Sequence, residues 1–232
     1  MAVKRRHVAL VFRLCAVVSI TVGLVRLVGL FGSTSSGAAF LFYTTQSNVL
    51  VLGWMLVLVV VTIRDLARDG AHGVASPWPR FGAAVMMAIT VTMLIYLVVL
   101  APQAFRQAGS DYAPFTLTDD LIHIVTPCLA IADWFMFAPK GRLRLFDPPL
   151  WAIIPYLYLT FAFTWMALGR GFGSGRRQPY SFMDVETLGI GGVAGQILVL
   201  SVALIGFGYV FVLADKLLAR SARRRHESAA RQ

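Results

Sequence analysis

Apolar residues gather into six long runs along the chain, at about residues 8–30, 40–63, 81–101, 121–137, 150–168 and 188–213. Each is long enough to cross a hydrocarbon core of roughly 30 Å as a helix. An unpaired backbone N–H or C=O in lipid costs several kcal/mol, so a span must satisfy its hydrogen bonds within itself. The pattern predicts an all-α polytopic membrane protein, with six transmembrane helices in one bundle and one domain, followed by a basic tail at residues 214–232.

Where polar residues interrupt these runs they do so at matching places. The second, fourth and sixth runs open on "YTTQSN", "TDDLIH" and "FMDVET". Even-numbered helices start from one side of a bundle, so the three polar openings are expected at one level. Counted from the run boundaries, Thr44 lies about four residues into its helix and His123 about two, which puts both within roughly 3 to 6 Å of the boundary. Arg26, near the outgoing end of the first run, falls at a similar depth.

Helical spacing narrows the list. Thr44, Ser47, Asn48 and Val51 stand at i, i+3, i+4 and i+7 and share a face, whereas Gln46 points away and Thr45 pairs only with Asn48. Asp119, Asp120, His123 and Thr126 form the corresponding stripe on the fourth helix. Pro127 lacks an N–H for the carbonyl four residues earlier, which predicts a bend and a freed carbonyl at His123. Asp133 lies about 15 Å deeper than His123 along the helix, a position for pairing with an arginine as much as for function. Arg13 and Arg26 are expected to snorkel to opposite boundaries. Gly191 and Gly195 have the GxxxG spacing of close helix packing.

Charge orients the bundle. Lys4, Arg5, Arg6, Arg64, Arg68, Arg80, Lys140, Arg142 and Arg144, together with six basic residues from Lys216 onward, fall on one side, against Arg106, Arg170, Arg176 and Arg177 on the other. Both termini are therefore expected in the cytoplasm. The net charge of +10 is largely this bias. The tail then touches anionic lipid headgroups, and no nucleic-acid partner is expected. Composition agrees with a membrane solvent: 58% apolar, 14% charged, mean hydropathy +0.72. Basic residues, an apolar run and then "GSTSSGAA" imitate a cleavable signal peptide, but a run of about 23 residues exceeds the usual signal core and predicts a retained first helix. Cys15 and Cys128 both fall inside runs, so no disulfide framework is implied. The dominance of Arg among its 21 basic residues, in a chain rich in Ala, Val and Gly, suits a GC-rich bacterial genome, and the expected location of a six-span chain there is the bacterial plasma membrane.

Counting excludes several chemistries. Of four histidines only His123 lies in a span, so a three-histidine zinc site cannot form and no metal or other cofactor is expected. No GxSxG, GxxxxGK[ST] or CxxC motif occurs. What remains is a hydroxyl and a base. A threonine hydroxyl needs a neighbouring group to take its proton, and His123 is the intramembrane residue whose ordinary pKa suits that task. Gln46, Ser47 and Asn48 are candidate oxyanion donors, Asp119 or Asp120 would orient the imidazole, and Arg26, Tyr180, Phe182 and Asp184 would line the outer mouth. The competing reading is a polar cavity without catalysis, either a small transporter or a lipid-binding module, built from Arg26, Asp133, His123 and the amides of the second helix.

"FYTTQSNVL", "DDLIHIVTPCLAIAD" and "PYSFMDVETLG" resemble, in span order, the androgen-induced-gene and androgen-dependent TFPI-regulating family of six-span membrane hydrolases, in its bacterial branch. The resemblance implies a threonine–histidine pair that hydrolyses fatty acid esters of hydroxy fatty acids. It places the threonine at Thr44, the histidine at His123 and the family's later acidic residue at Asp133. Asp119 and Asp120 stand where the animal members carry an Asn-His pair.

Overall fold

The computed structural model describes residues 3–30, 37–106, 114–173 and 175–229. Residues 31–36, within and just before "GSTSSGAA", and residues 230–232 of the basic tail lie outside them. Six helices are long and apolar enough to cross a membrane, and no strand is formed among the described residues. They are α1 (Arg6–Val28); α2 (Tyr43–Asp69); α3, which runs from Pro79–Ile95 through a π turn at Tyr96–Leu100 into Ala101–Arg106; α4, which runs from Leu117–Asp120 through a second π turn at Leu121–Val125 into Thr126–Phe137; α5, made of Asp147–Trp151 and Ile153–Ala167; and α6 (Val185–Ala229), broken at Gly189 (φ 67°, ψ 168°). The chain is thus an all-α six-span integral membrane protein.

Helix ends differ from the apolar runs where polar residues supply local hydrogen bonds. α4 starts at Leu117, before its apolar run, because the Thr116 hydroxyl accepts from the Asp119 N–H as an N-cap. α2 starts at Tyr43, after a 3-10 turn over Gly37–Leu41. At its far end α2 continues through the polar "RDLARD" to Asp69, and α6 carries the basic tail as helix to Ala229. Lys140 closes α4, donating to the Trp134 and Ala138 carbonyls at 2.5 and 2.8 Å with its ammonium over the Trp134 ring. Burial there pushes that ammonium down to about 8.

α1 to α4 form the packed core. Ile20, Val51, Met55, Leu58, Met86, Met87 and Ile89 are each no more than 2% exposed, and α1 lies on α2 and α4, α2 on α3, and α3 on α4. At the end that charge assigns to the cytoplasm, the loops are tied together. The Gly73 N–H meets the Lys4 carbonyl, Arg80 pairs with Asp147, and the Leu143 N–H donates to Asp215. α5 and α6 join here, where Gly208 lets α6 approach Pro148 so closely that a Cβ would sit 2.8 Å from its ring.

Toward the other end, α5 and α6 stand apart from the core backbones. A Cβ added at Gly191 or Gly195 would meet no other part of the chain within 4 Å, so the close packing expected of their spacing is not made among the described residues. The close approach sits instead at Gly23 of α1, where an added Cβ would lie 3.1 Å from Ile122 and 3.2 Å from Leu121.

Arg13 does not snorkel. Its side chain is wholly buried and turned inward onto Asp133, with Nε to Oδ1 at 2.7 Å. Its Nη1 donates to the Thr62 hydroxyl at 2.6 Å and the Ala75 carbonyl at 2.7 Å. A guanidinium a few turns into a helix finds buried acceptors nearer than water, and the Asp133 carboxylate offsets its desolvation.

Candidate functional site

The five consecutive polar residues that open α2 have separate tasks. The Thr45 hydroxyl donates back to the Ala39 carbonyl at 2.6 Å and Gln46 Nε2 to the Phe40 carbonyl at 3.0 Å, fixing the 3-10 turn against the helix start. The Ser47 hydroxyl meets Thr92 of α3 at 2.8 Å. Asn48 Nδ2 donates to the Thr44 carbonyl at 2.8 Å and across to the Ile122 carbonyl of α4 at 3.1 Å. Thr44 alone turns its hydroxyl toward the base, with Oγ1 3.5 Å from His123 Nε2.

The histidine is held on three sides. Its Nδ1 lies 3.2 Å from the Asp119 carbonyl and 3.7 Å from the Asp119 carboxylate. Both are acceptors, so they favour the tautomer with the proton on Nδ1, which leaves the Nε2 lone pair facing Thr44. The Tyr96 ring stacks on the imidazole at 4.2 Å and 6°. Tyr96 is itself pinned, its hydroxyl accepting from the Phe115 N–H at 2.8 Å. Each ring comes from one of the two π turns, a local widening of the helix that recurs at functional sites.

The π turn of α4 also corrects the proline argument. The Thr126 N–H bonds to the Leu121 carbonyl, five residues back, so Ile122 loses its usual partner. The carbonyl that α2 claims, through Asn48, is that of Ile122, one residue before the position Pro127 pointed to.

Both Asn48 N–H bonds are thereby committed to backbone, and its Oδ1 is buried without a hydrogen-bond partner. Asn48 is a clamp between α2 and α4 rather than an oxyanion donor, and the bonds of Gln46 and Ser47 likewise point them away from the Thr44–His123 gap. As an expected result, Asn48→Leu lowers stability by only about 1 kcal/mol, since it strands the Ile122 carbonyl but also removes an unsatisfied oxygen. Thermal unfolding in detergent measures this, and a variant as stable as the wild type or more so would contradict the clamp.

Thr44 and His123 open onto a cavity of about 880 Å³, whose lining also includes Asp119, Gln103, Tyr180 and, at the rim, Arg176 and Arg177. The Tyr180 phenol lies against Thr44 and the first backbone N–H groups of α2. The N-cap residue, Phe42, gives those groups no side-chain bond; the Tyr180 oxygen faces them instead, and they carry the positive end of the helix dipole. Burial pushes the Tyr180 phenol above its ordinary range, which keeps it a hydrogen-bond donor at neutral pH. The α2 N-terminus and Tyr180 are thus hydrogen-bond donors beside Thr44.

Other expected mouth residues are placed elsewhere. Arg26 is exposed, with Nε on the Thr118 hydroxyl at 3.1 Å. Asp184 caps the start of α6, accepting from the Glu186 and Thr187 N–H groups at 3.0 and 3.1 Å, and Thr187 holds its carboxyl below the usual range. Phe182 stacks on Tyr180 and faces a different cleft. Asp120 makes no contact with His123, and its Oδ1 is buried without a partner. Sequence reasoning missed Tyr96, an aromatic residue in an apolar run, and the rim arginines, which it counted only for topology. No metal-binding group of three His, Cys, Asp or Glu occurs among the described residues. No protein-family model, no curated protein and no solved structure matches this chain.

Proposed function

We propose that the protein is an intramembrane ester hydrolase with Thr44 as nucleophile and His123 as general base, acting on lipid esters at the outer boundary of the bilayer. The observation that carries this reading is the Thr44 Oγ1 to His123 Nε2 approach of 3.5 Å, at the loose end of hydrogen-bond range for an apo site, with Nδ1 held against Asp119. His123 takes the Thr44 proton as Oγ1 attacks the ester carbonyl, and the first-turn N–H groups of α2 with the Tyr180 phenol receive the developing oxyanion. The imidazolium then protonates the departing alcohol, leaving an acyl group on Thr44. Water, deprotonated by His123, attacks that acyl group, and the proton returns to Oγ1 as the fatty acid leaves.

Membership of the six-span hydrolase family, and fatty acid esters of hydroxy fatty acids as substrates, belong to this proposal. The cavity rim suits such a substrate, since Arg176 lines it and is placed to meet an anionic group on the alcohol side, while the neighbouring Arg177 pairs with Glu186. The bacterial plasma membrane as its location is proposed with it. Against the non-catalytic alternative, the polar groups that would coordinate an ion are dispersed: Asp133 is paired with Arg13, Arg26 lies on Thr118, and Asn48 is bound to backbone.

Purified protein treated with a hydroxyl-reactive fluorophosphonate, digested and mapped by mass spectrometry, tests the assignment. A single adduct on Thr44 is expected. Labelling of another residue, or of none, would remove the nucleophile.

A further inference from the structure

Beyond Tyr43 and Tyr180, away from the polar cavity, lies a cleft of about 320 Å³ between α3, α5 and α6. It exists because α5 and the outer part of α6 join the bundle chiefly at the opposite end, so their backbones leave the outer half of α3 uncovered. Its walls are Ile95, Val99, Leu159, Leu200, Leu204 and Phe207. The polar groups on it are internally bonded or sit at one end. The Ser201 hydroxyl donates to the Ile197 carbonyl of its own helix at 2.6 Å, and the Tyr43 hydroxyl donates to the Ala88 carbonyl at 3.0 Å. The Tyr158 hydroxyl is buried at that end and is directed toward the Tyr180 phenol and the Tyr43 backbone N–H. At its other side the cleft reaches lipid past Val98 and Tyr156, which are 71% and 40% exposed.

Tyr180 borders both this cleft and the cavity of Thr44 and His123. Around it stand Phe42, Tyr158 and Phe182, with ring centroids 5.5 to 6.4 Å from its own. A bonded or apolar lining offers water almost no partners, whereas hydrocarbon loses nothing on entering it. From Ile197 to Phe207 the cleft follows α6 for about 15 Å, the length of a chain on the order of ten to twelve carbons.

Resting on the hydrolase reading, we propose that this cleft holds the acyl chain of the lipid ester, with Tyr180 dividing it from the cavity that takes the alcohol side. The ester carbonyl then lies at the wall between them, where Thr44 is, and the chain points into the bilayer as it does in an undisturbed lipid. The site therefore selects a long unbranched acyl chain joined to a polar or anionic alcohol.

Two measurements test this. In the first, a long-chain fatty acid carrying a diazirine near its methyl end is photocrosslinked to the wild-type protein in nanodiscs. Adducts are expected on residues 197–207 of α6 or 95–99 of α3. Adducts spread over the lipid-facing surface would identify the cleft as ordinary bilayer contact and overturn the proposal.

In the second, Ala203→Trp fills the cleft from an exposed position that borders it, and Val202→Trp places the same ring on the lipid-facing side. Ala203→Trp is expected to lower kcat/KM for long-chain esters about tenfold or more while leaving an acetate ester unchanged, and Val202→Trp to change neither. Equal effects of Ala203→Trp on long and short esters, or no effect, would also overturn it. The two readings fail separately: crosslinks in the cleft with no turnover of any ester would retain the acyl site and remove the hydrolase.

Discussion

Thr44→Ala and His123→Ala are each expected to lower ester turnover by about a thousandfold or more, because nucleophile and base act as one unit. For the same reason the double variant should be little worse than either single one. Thr44→Ser keeps a hydroxyl at the same position and should retain measurable activity. Asp119→Asn should cost far less than His123→Ala, since the Asp119 backbone carbonyl, 3.2 Å from Nδ1, still holds the tautomer. Initial rates on a panel of lipid esters, normalised to correctly folded protein by gel filtration, give the comparison. Undiminished turnover in either alanine variant would end the catalytic reading, whatever the fold.

The reason Thr44 and His123 meet differs from the reason the sequence suggests. Counting from the ends of apolar runs put them about four and two residues into their helices. In the structure Thr44 is the second residue of α2 and His123 the seventh of α4. The first turn of α4, "LTDD", is polar enough to hide from a hydropathy count, yet it is helical because Thr116 caps it. α4 therefore begins several ångströms beyond the start of α2, and the helix ends are not level. The two residues converge because Gly23 lets α1 close on Leu121 and Ile122, and because Asn48 bonds the Ile122 carbonyl.

Six spans and the polar face of α2 were legible because hydrocarbon tolerates so few alternatives. The partner of each polar side chain was not. Thr44, Ser47 and Asn48 share one helical face, but whether that face meets a base, a helix or a cavity depends on the crossing of α1, α3 and α4. Pro127 signalled a disturbed α4; the remedy, a π turn that hands Ile122 rather than His123 to α2, is a tertiary choice. Tyr96 carried no signal, since an aromatic residue in a buried run looks the same whether it stacks on leucine or imidazole. The spacing of Gly191 and Gly195 misled because small residues permit close approach without causing it.

Asp133 tests where the site ends. Arg13→Met should destabilise the protein by about 3–5 kcal/mol, because it leaves a buried carboxylate without its cation. Asp133→Asn should cost less, since the Arg13 guanidinium keeps the Thr62 hydroxyl and the Ala75 carbonyl. The double replacement Arg13→Met with Asp133→Leu removes both charges and should recover much of the loss, as apolar substitutes for buried ion pairs often do. Thermal unfolding of the four proteins in one detergent closes the cycle. Turnover per folded molecule should stay near wild type throughout, because Asp133 lies about 15 Å along α4 from His123 and its carboxylate faces Arg13. If Asp133→Asn instead leaves stability unchanged and abolishes turnover, the carboxylate belongs to the chemistry, and the boundary between scaffold and site must be drawn one helix turn after another down to Arg13.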